Sequence, residues 1–381
     1  MTQKNKNAIT KAFLKLLQAG FWEKDVELRE YGFMDFAEIM RLAEEQSVVG
    51  IVTAGLEHVK DIKVPQEWTL QFIGTTLQIE LRNKEMNAFV ERLISRMREA
   101  GIYVLLIKGQ GVAQSYEKPL WRSCGDVDLF LSDENYEKAK TFLISKAEKV
   151  EQEADFKKHL GLYIEGWLVE LHGRLRNGLS SRIDRALDEI QKDTFYSGNV
   201  RSCMVGKTQV FLLSAENDII YVFSHILDHF YKGGIGLRQI CDWSRLIWKY
   251  REMLDAKALY SRISKMGLMS EWKAFGSFAV KYLGMPKEAM PIYEATKKWE
   301  KKADKICEFI LKVGNFGQNR DMNYLNGRPF VERKAVSLKQ RVGDVMNHAR
   351  IFPFDSWMFF YGILKTGVKA ALKGTSVKPK G

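Results

Sequence analysis

The feature that most restricts how this chain can fold is the run Gly125-Asp126-Val127-Asp128-Leu129-Phe130-Leu131, in which carboxylates alternate with apolar residues. Strand side chains alternate between faces, so Asp126 and Asp128 point one way while Val127 and Leu129 point the other, into a core. Two carboxylates side by side on a buried sheet repel each other and lose hydration. Something must offset that cost, and a hard divalent cation suits an oxygen donor set. A third acid, Glu170, interrupts a second apolar strand, Trp167-Leu168-Val169-Glu170-Leu171-His172, and His172 shares its face. If the two strands lie side by side, the three carboxylates converge. Such a trio can hold two Mg²⁺ ions about 3.5–4 Å apart, which suits in-line attack at a phosphate. Mn²⁺ would serve in the same place. Asp126, Asp128 and Glu170 are therefore both the candidate catalytic residues and the candidate metal ligands.

Upstream, residues 102–107 form a β-branched, apolar run that predicts a buried strand. Lys108-Gly109-Gln110-Gly111 follows as a glycine-bearing turn, and residues 112–116 as a short helix. Gly109 and Gly111 let the backbone approach a phosphate closely, and a following helix offers its N-terminus. Lys108 and Arg122 place positive charge where a triphosphate would lie; an ion pair with the acids is the competing assignment. The candidate nucleotide-binding set is Lys108, Gly109, Gln110, Arg122 and His172.

The residues around this core read as helical. Apolar residues recur at three-to-four spacing over 8–17, 34–45 and 67–98, and Gly101 stops the last of these. Further strands are expected over 160–164 and 168–172, with a helix over 134–146 between the acid-bearing segments. From residue 215 the pattern is helical again, over 219–231, 237–250 and through 254–313. A Gly- and Asn-rich loop is expected over 314–328, and a last helix over 357–372. The expected architecture is α+β: a small mixed-sheet catalytic core at 101–212 between a helical N-terminal region, 1–100, and a helical C-terminal domain, 213–381, with a basic tail.

Composition limits the alternatives. With 46% hydrophobic and 28% charged residues the chain is globular, not disordered. No apolar run approaches the ~20 residues of a membrane span, and residues 1–7 lack the pattern of a secretory leader. The four cysteines are scattered without a CxxC pair, which fits a reducing, cytoplasmic compartment. The net charge of +12 is concentrated: residues 297–381 hold 18 Lys and Arg against 7 Asp and Glu. That segment suits an anionic partner such as nucleic acid, acidic lipid or a phosphorylated substrate.

Taken together, Leu106-Ile107-Lys108-Gly109, then Arg122, then Asp126-Val127-Asp128-Leu129, then Glu170-Leu171-His172 resemble the polymerase-beta-like nucleotidyltransferase superfamily. The resemblance is strongest to a bacterial branch with a Lys-Gly turn and a Glu-Leu-His strand. It covers about residues 100–175 and more weakly 225–242, where that branch carries helix histidines and a Leu-Arg-x-x-x-Asp pattern, here Leu237 to Asp242. The resemblance implies a mixed sheet flanked by helices, Mg²⁺, an NTP substrate and transfer of a nucleotidyl group to an acceptor. One departure is that Gln110 stands where the widespread turn has Ser, so a hydroxyl contact to phosphate is missing.

Other features admit two assignments each. His225 and His229, four apart on a helix, either bind zinc or instead line the cleft or pack in the core. Arg238 and Asp242 have the spacing of a helix salt bridge, with a role in positioning the base or acceptor as the other assignment. In the last helix Lys365, Lys369 and Lys373 recur every four residues beside Trp357, Phe359, Phe360, Ile363, Leu364 and Val368. Such a helix either rests on an anionic membrane or packs on the body with a solvated lysine face. Two rival functions therefore stand beside the transferase: a non-catalytic nucleotide- or RNA-binding module, and a peripheral membrane factor in surface-polysaccharide assembly.

Overall fold

The structure is a computed structural model and describes residues 3–32, 34–154, 158–232, 234–315 and 343–372. Lys373, residues 374–381 and the expected loop beyond Asn315 lie outside them. The N-terminal region forms four helices, α1 (Gln3–Trp22), α2 (Phe36–Glu45), α3 (Val49–Glu57) and α4 (Gln66–Glu99). Asp35 caps α2 by accepting from the Glu38 amide, which satisfies one of the helix's orphan donors. Gly101, at φ +72°, follows the end of α4 in the left-handed conformation, as its position in the sequence predicts.

The α/β part contains β1 (Leu105–Ile107), α5 (Gly109–Ala113), β2 (Val127–Phe130), α6 (Asp133–Ile144), β3 (Lys149–Val150), β4 (His159–Ile164), β5 (Trp167–His172), α7 (Ser181–Tyr196), β6 (Val200–Val205) and β7 (Thr208–Leu213). The sheet has seven strands in the order β3-β4-β5-β2-β1-β7-β6. It is mixed: β2 runs parallel to β5 and β1 parallel to β7, while the other pairs are antiparallel. The C-terminal region adds α8 (Ala215–Lys232), α9 (Leu237–Tyr250), α10 (Ala256–Met266), α11 (Met269–Leu283), α12 (Lys297–Val313) and a final helix, Pro353–Leu372. This is the expected α+β fold. Among the described residues no helix is long and apolar enough to cross a membrane.

Several elements differ from expectation. The strand expected over 102–107 pairs only from Leu105, because the Tyr103 amide goes to the Asn135 side chain instead of a neighbouring strand. The short helix begins at Gly109, inside the glycine turn. The β6–β7 hairpin and α7 were not expected; the hairpin extends the sheet past β1 through Leu105 opposite Phe211.

Two cores explain the layering. One sheet face (Leu106, Val127, Leu129, Leu160, Leu162, Val169, Leu171, Leu212) packs on α6 and the second half of α4, from Met86 to Met97. The other face carries the acids and, around them, Leu105, Ile107 and Phe130, which join a core shared by α1–α3 and α7–α12. N- and C-terminal helices thus form one continuous mass. Polar contacts tie the same seam: Gln46 donates to the Ile310 carbonyl and accepts from the Leu237 amide, and Trp22 donates to the Leu283 carbonyl.

Helices α1 and α3 cross backbone to backbone at Gly20 and Gly55. A Cβ on Gly55 would lie 2.0 Å from the Leu16 carbonyl oxygen, and one on Gly20 1.9 Å from that of Ile51. Gly55→Ala must push the helices apart and is expected to destabilise the fold by about 1–3 kcal/mol, measured by urea denaturation. A second expectation concerns Glu271, fully buried on α11 beside Tyr231, Asp355 and Lys302. Burial and Asp355 push its carboxyl up to about 8. A raised acid contributes stability in full below its unfolded pKa and loses it as pH climbs toward the folded value. Unfolding free energy is therefore expected to fall between about pH 4.5 and 8, by up to roughly 5 kcal/mol, and Glu271→Gln is expected to flatten that slope.

Candidate active site

The register of β2 and β5 places Asp128 directly opposite Glu170, and Phe130 opposite His172. Side chains two residues apart share a face, so Asp126, Asp128, Glu170 and His172 converge on one side of the sheet. Carboxylate oxygens of Asp126, Asp128 and Glu170 all lie within 4.8 Å of one another. Asp128 and Glu170 are buried; Asp126, at the mouth just before β2, is half-buried.

Lys108 enters from the end of β1. Its backbone adopts φ +55°, ψ −145°, a conformation rarely available to a residue with a Cβ, and Gly109 follows at φ +35°. This strained turn delivers the Lys108 ammonium to Asp128, with Nζ 2.6 Å from Oδ1. His172 Nε2 is in hydrogen-bond contact with the same oxygen at 2.8 Å. Across the sheet His159, the register partner of His172, places Nε2 3.0 Å from Glu170 Oε2.

The electrostatics follow from this crowding. Repulsion from Asp128, and then burial, raise the Asp126 carboxyl above the usual carboxylate range. Burial also raises Asp128, with Lys108 opposing. Glu170 goes the other way: burial works against its charge, yet the hydrogen bond from His159 and the field of Lys108 hold it well below the usual range. Burial and then the Lys108 charge depress His172, which is therefore neutral at pH 7. Burial works against the Lys108 ammonium too, but Asp128, Glu170 and Asp126 overcome it and raise its pKa.

The other expected residues are placed as follows. The Gln110 side chain is buried and turned to the Met86 sulfur, away from the acids, so only its backbone remains at the turn. Arg122 is 6% exposed and engages Asp242 of α9 through two hydrogen bonds, Nε to Oδ1 at 3.0 Å and Nη2 to Oδ2 at 2.5 Å. Tyr116 donates to the same carboxylate at 2.7 Å, and Asn83 of α4 donates to the Arg122 carbonyl at 2.8 Å. The guanidinium is thus committed to a structural ion pair that anchors the segment leading into β2. This pair also replaces the expected Arg238–Asp242 bridge. Arg238 instead donates to the Ser123 carbonyl at 2.6 Å, and its Nε has no hydrogen-bond partner among the described residues. Burial and the neighbouring Arg122 charge lower its pKa, with Asp242 and Asp126 opposing. Helix α8 closes the site with Tyr221, His225 and His229; the two imidazoles place Nε2 atoms 3.1 Å apart. Burial and Lys108 depress His225.

Sequence reasoning missed His159 and Tyr221. Strand parity contains the signal for the first: with Leu160, Leu162 and Ile164 in the core, His159 and Gly161 must face the acids. No comparable local signal marks Tyr221.

A mixed sheet that gathers three carboxylates from two adjacent strands, flanked by a lysine-bearing turn, is the layout of a nucleotidyltransferase. The chain belongs to the family described as uncharacterised nucleotidyltransferase, whose model matches residues 34–284, and this membership supports nucleotidyl transfer in general. Neither the curated proteins nor the solved structures gave a match.

Asp242→Ala strands the buried Arg122 charge and is expected to cost about 3–5 kcal/mol in urea denaturation. The double change Arg122→Met/Asp242→Leu is expected to recover most of that loss, which a solvent-exposed pair would not do.

Proposed function

We propose that this chain is a Mg²⁺-dependent nucleotidyltransferase that moves a nucleoside monophosphate from an NTP to an acceptor. The observation that carries the reading is the convergence of Asp126, Asp128 and Glu170 within 4.8 Å of one another. The donor set fits a hard divalent cation: all ligands are oxygen, and two of the three carboxyls are raised, Asp126 by repulsion from Asp128 and Asp128 by burial. When bound, Mg²⁺ neutralises the triphosphate and polarises the reacting phosphate.

The protein's own residues divide the remaining work. Asp126 and Asp128 hold the metal ions and Glu170 completes the set. Glu170, kept anionic by His159 and Lys108, acts as a ligand, since so weak a base is a poor proton acceptor. Lys108, Gly109 and the Gln110 backbone contact the triphosphate. Arg238, whose Nε lacks a partner among the described residues, supplies the second phosphate-facing cation, while Arg122 positions the strand entry. His172 orients Asp128 through its 2.8 Å hydrogen bond.

The test is binding of each of the four NTPs, with and without Mg²⁺, to the wild type and to Asp126→Asn. Wild type is expected to bind one or more NTPs only with metal, and the variant to lose that binding. Because Asp126 is raised mainly by repulsion from Asp128, the same variant is expected to be more stable without metal, by about 1 kcal/mol in thermal or urea unfolding. Metal-independent binding equal in both proteins would refute the assignment. Arg238→Gln is expected to weaken NTP binding about tenfold, against little effect on nucleoside binding.

A second reading is favoured by the final helix. Phe354, Trp357, Met358 and Tyr361 are all exposed at spacing i, i+3, i+4 and i+7, so they form one apolar, largely aromatic face. With the basic charge of residues 297–381, this face suits peripheral contact with an anionic membrane. Trp357→Ser/Tyr361→Ser is expected to abolish co-sedimentation with phosphatidylserine vesicles while leaving NTP binding unchanged.

A further inference from the structure

Beside the three acids, the same sheet face carries a second and chemically different group of ligands. His159 of β4 and His172 of β5 are register partners, and Glu170 lies two residues from His172 on their shared face. Glu170 Oε2 is 3.0 Å from Nε2 of His159 and 3.7 Å from Nε2 of His172, and one ligand atom from each residue lies within 4.8 Å of the other two. The imidazole rings stand 4.8 Å apart at 59°. We propose that His159, Glu170 and His172 form a transition-metal site, of the class that takes Zn²⁺ or Co²⁺, separate in ligand chemistry from the all-oxygen group of Asp126, Asp128 and Glu170.

The geometry meets the requirement closely. Ligands about 2.0–2.1 Å from a tetrahedral ion are roughly 3.3 Å from one another. The distances to Glu170 fall on either side of that value, and all three atoms lie within 4.8 Å of one another. Two imidazoles and a carboxylate with room for an exchangeable ligand is a set that borderline transition ions prefer and Mg²⁺ does not. Hydrogen bonding alone explains the histidines less completely. His172 Nε2 can carry a single proton, yet it faces both Asp128 Oδ1, at 2.8 Å, and Glu170 Oε2, and an ion bound through this nitrogen replaces its hydrogen bond to Asp128. Gly161, the register partner of Glu170, has no side chain on this face, and its place is taken by the Glu151 carboxylate, which would lie 2.5 Å from a Cβ there.

The two groups share Glu170, whose two oxygens allow it to bridge neighbouring ions. The transition-metal site does not depend on nucleotidyl transfer, and a chain that bound nucleotide without turnover would carry it equally. Its consequence for the proposed enzyme is a site that distinguishes metals by donor type: oxygen-only beside the triphosphate, nitrogen-containing one strand away.

The experiment uses the full chain stripped with chelator. Co²⁺ is titrated in the presence of excess Mg²⁺ and followed by its visible d–d absorption, and Zn²⁺ affinity is measured by calorimetry and by the metal-dependent rise in Tm. Three variants are compared with wild type: His159→Gln, His172→Gln and Asp126→Asn. Expected is one equivalent of Co²⁺ with a nitrogen-ligand spectrum, retained in Asp126→Asn and weakened at least about tenfold in each histidine variant. The Zn²⁺-dependent rise in Tm should disappear with the histidines, and the metal-free Tm of each variant shows that it is folded. Binding unaffected by either histidine change, or a spectrum of oxygen ligands only, would overturn the assignment. So would Zn²⁺ affinity that falls with Asp126→Asn as far as with the histidine variants. Failure of the wild type to bind any NTP with Mg²⁺, with Zn²⁺ binding intact, counts against the transferase reading alone.

Discussion

Asp128 and Glu170 stand opposite each other on adjacent parallel strands, both withdrawn from water, and much of the surrounding structure offsets their repulsion. At separations near 4–5 Å and an effective dielectric of about 20, two like charges repel by roughly 3–4 kcal/mol. Lys108 meets this with a contact of 2.6 Å to Asp128, an attraction of several kcal/mol on the same scale. To reach that position its backbone takes a conformation that costs on the order of 1–3 kcal/mol. The attraction exceeds that cost, so the strained turn persists. The histidines complete the balance: each directs an Nε2 at a carboxylate oxygen, and burial keeps His172 from adding a further charge.

The sheet can hold these groups together only if the segment entering β2 is fixed. Arg122 does this from a distance of 120 residues in sequence, through its double hydrogen bond to Asp242 of α9. Asn83 of α4 grips the same segment from the other side. Helix α4 contributes to both cores, with Phe72 among the N-terminal helices and Met86 to Met97 beneath the sheet. The site therefore sits where sheet, long helix and C-terminal helices meet, and displacement of any one of them would reach the acids.

These relations were legible in the sequence to different degrees, for physical reasons. The acids were readable because strand periodicity is rigid: one polar residue among apolar neighbours specifies a face, and Asp126, Asp128 and Glu170 fall on it in the structure. The long helices were readable because three-to-four spacing persists over many turns. Arg122 was not, since its partner is remote, and the local rule for helices favoured Arg238 with Asp242. A bidentate tertiary contact in a buried setting outweighs an exposed pair of a few tenths of a kcal/mol. The β6–β7 hairpin escaped because its outer strand alternates weakly, with exposed Met204 and half-buried Cys203 where a buried edge would show a clear pattern. Gln110 kept its place at the turn, but the side chain followed packing toward Met86.

The distribution of cations around the acids also limits what the cleft can recognise. Arg122 is neutralised by Asp242, and Lys108 is shared among three carboxylates. Arg238 lies beside both groups yet hydrogen-bonds to a carbonyl, so its charge is not cancelled by direct pairing. Burial and the adjacent guanidinium make that charge costly, as its lowered pKa records. A polyanion laid against the mouth would relieve the repulsion between the arginines, whereas a neutral ligand would not. The acids at the floor demand cations and the arginine at the rim demands an anion. A metal-bound triphosphate, the substrate of the proposed transferase, presents both charges in one ligand, which a neutral sugar does not.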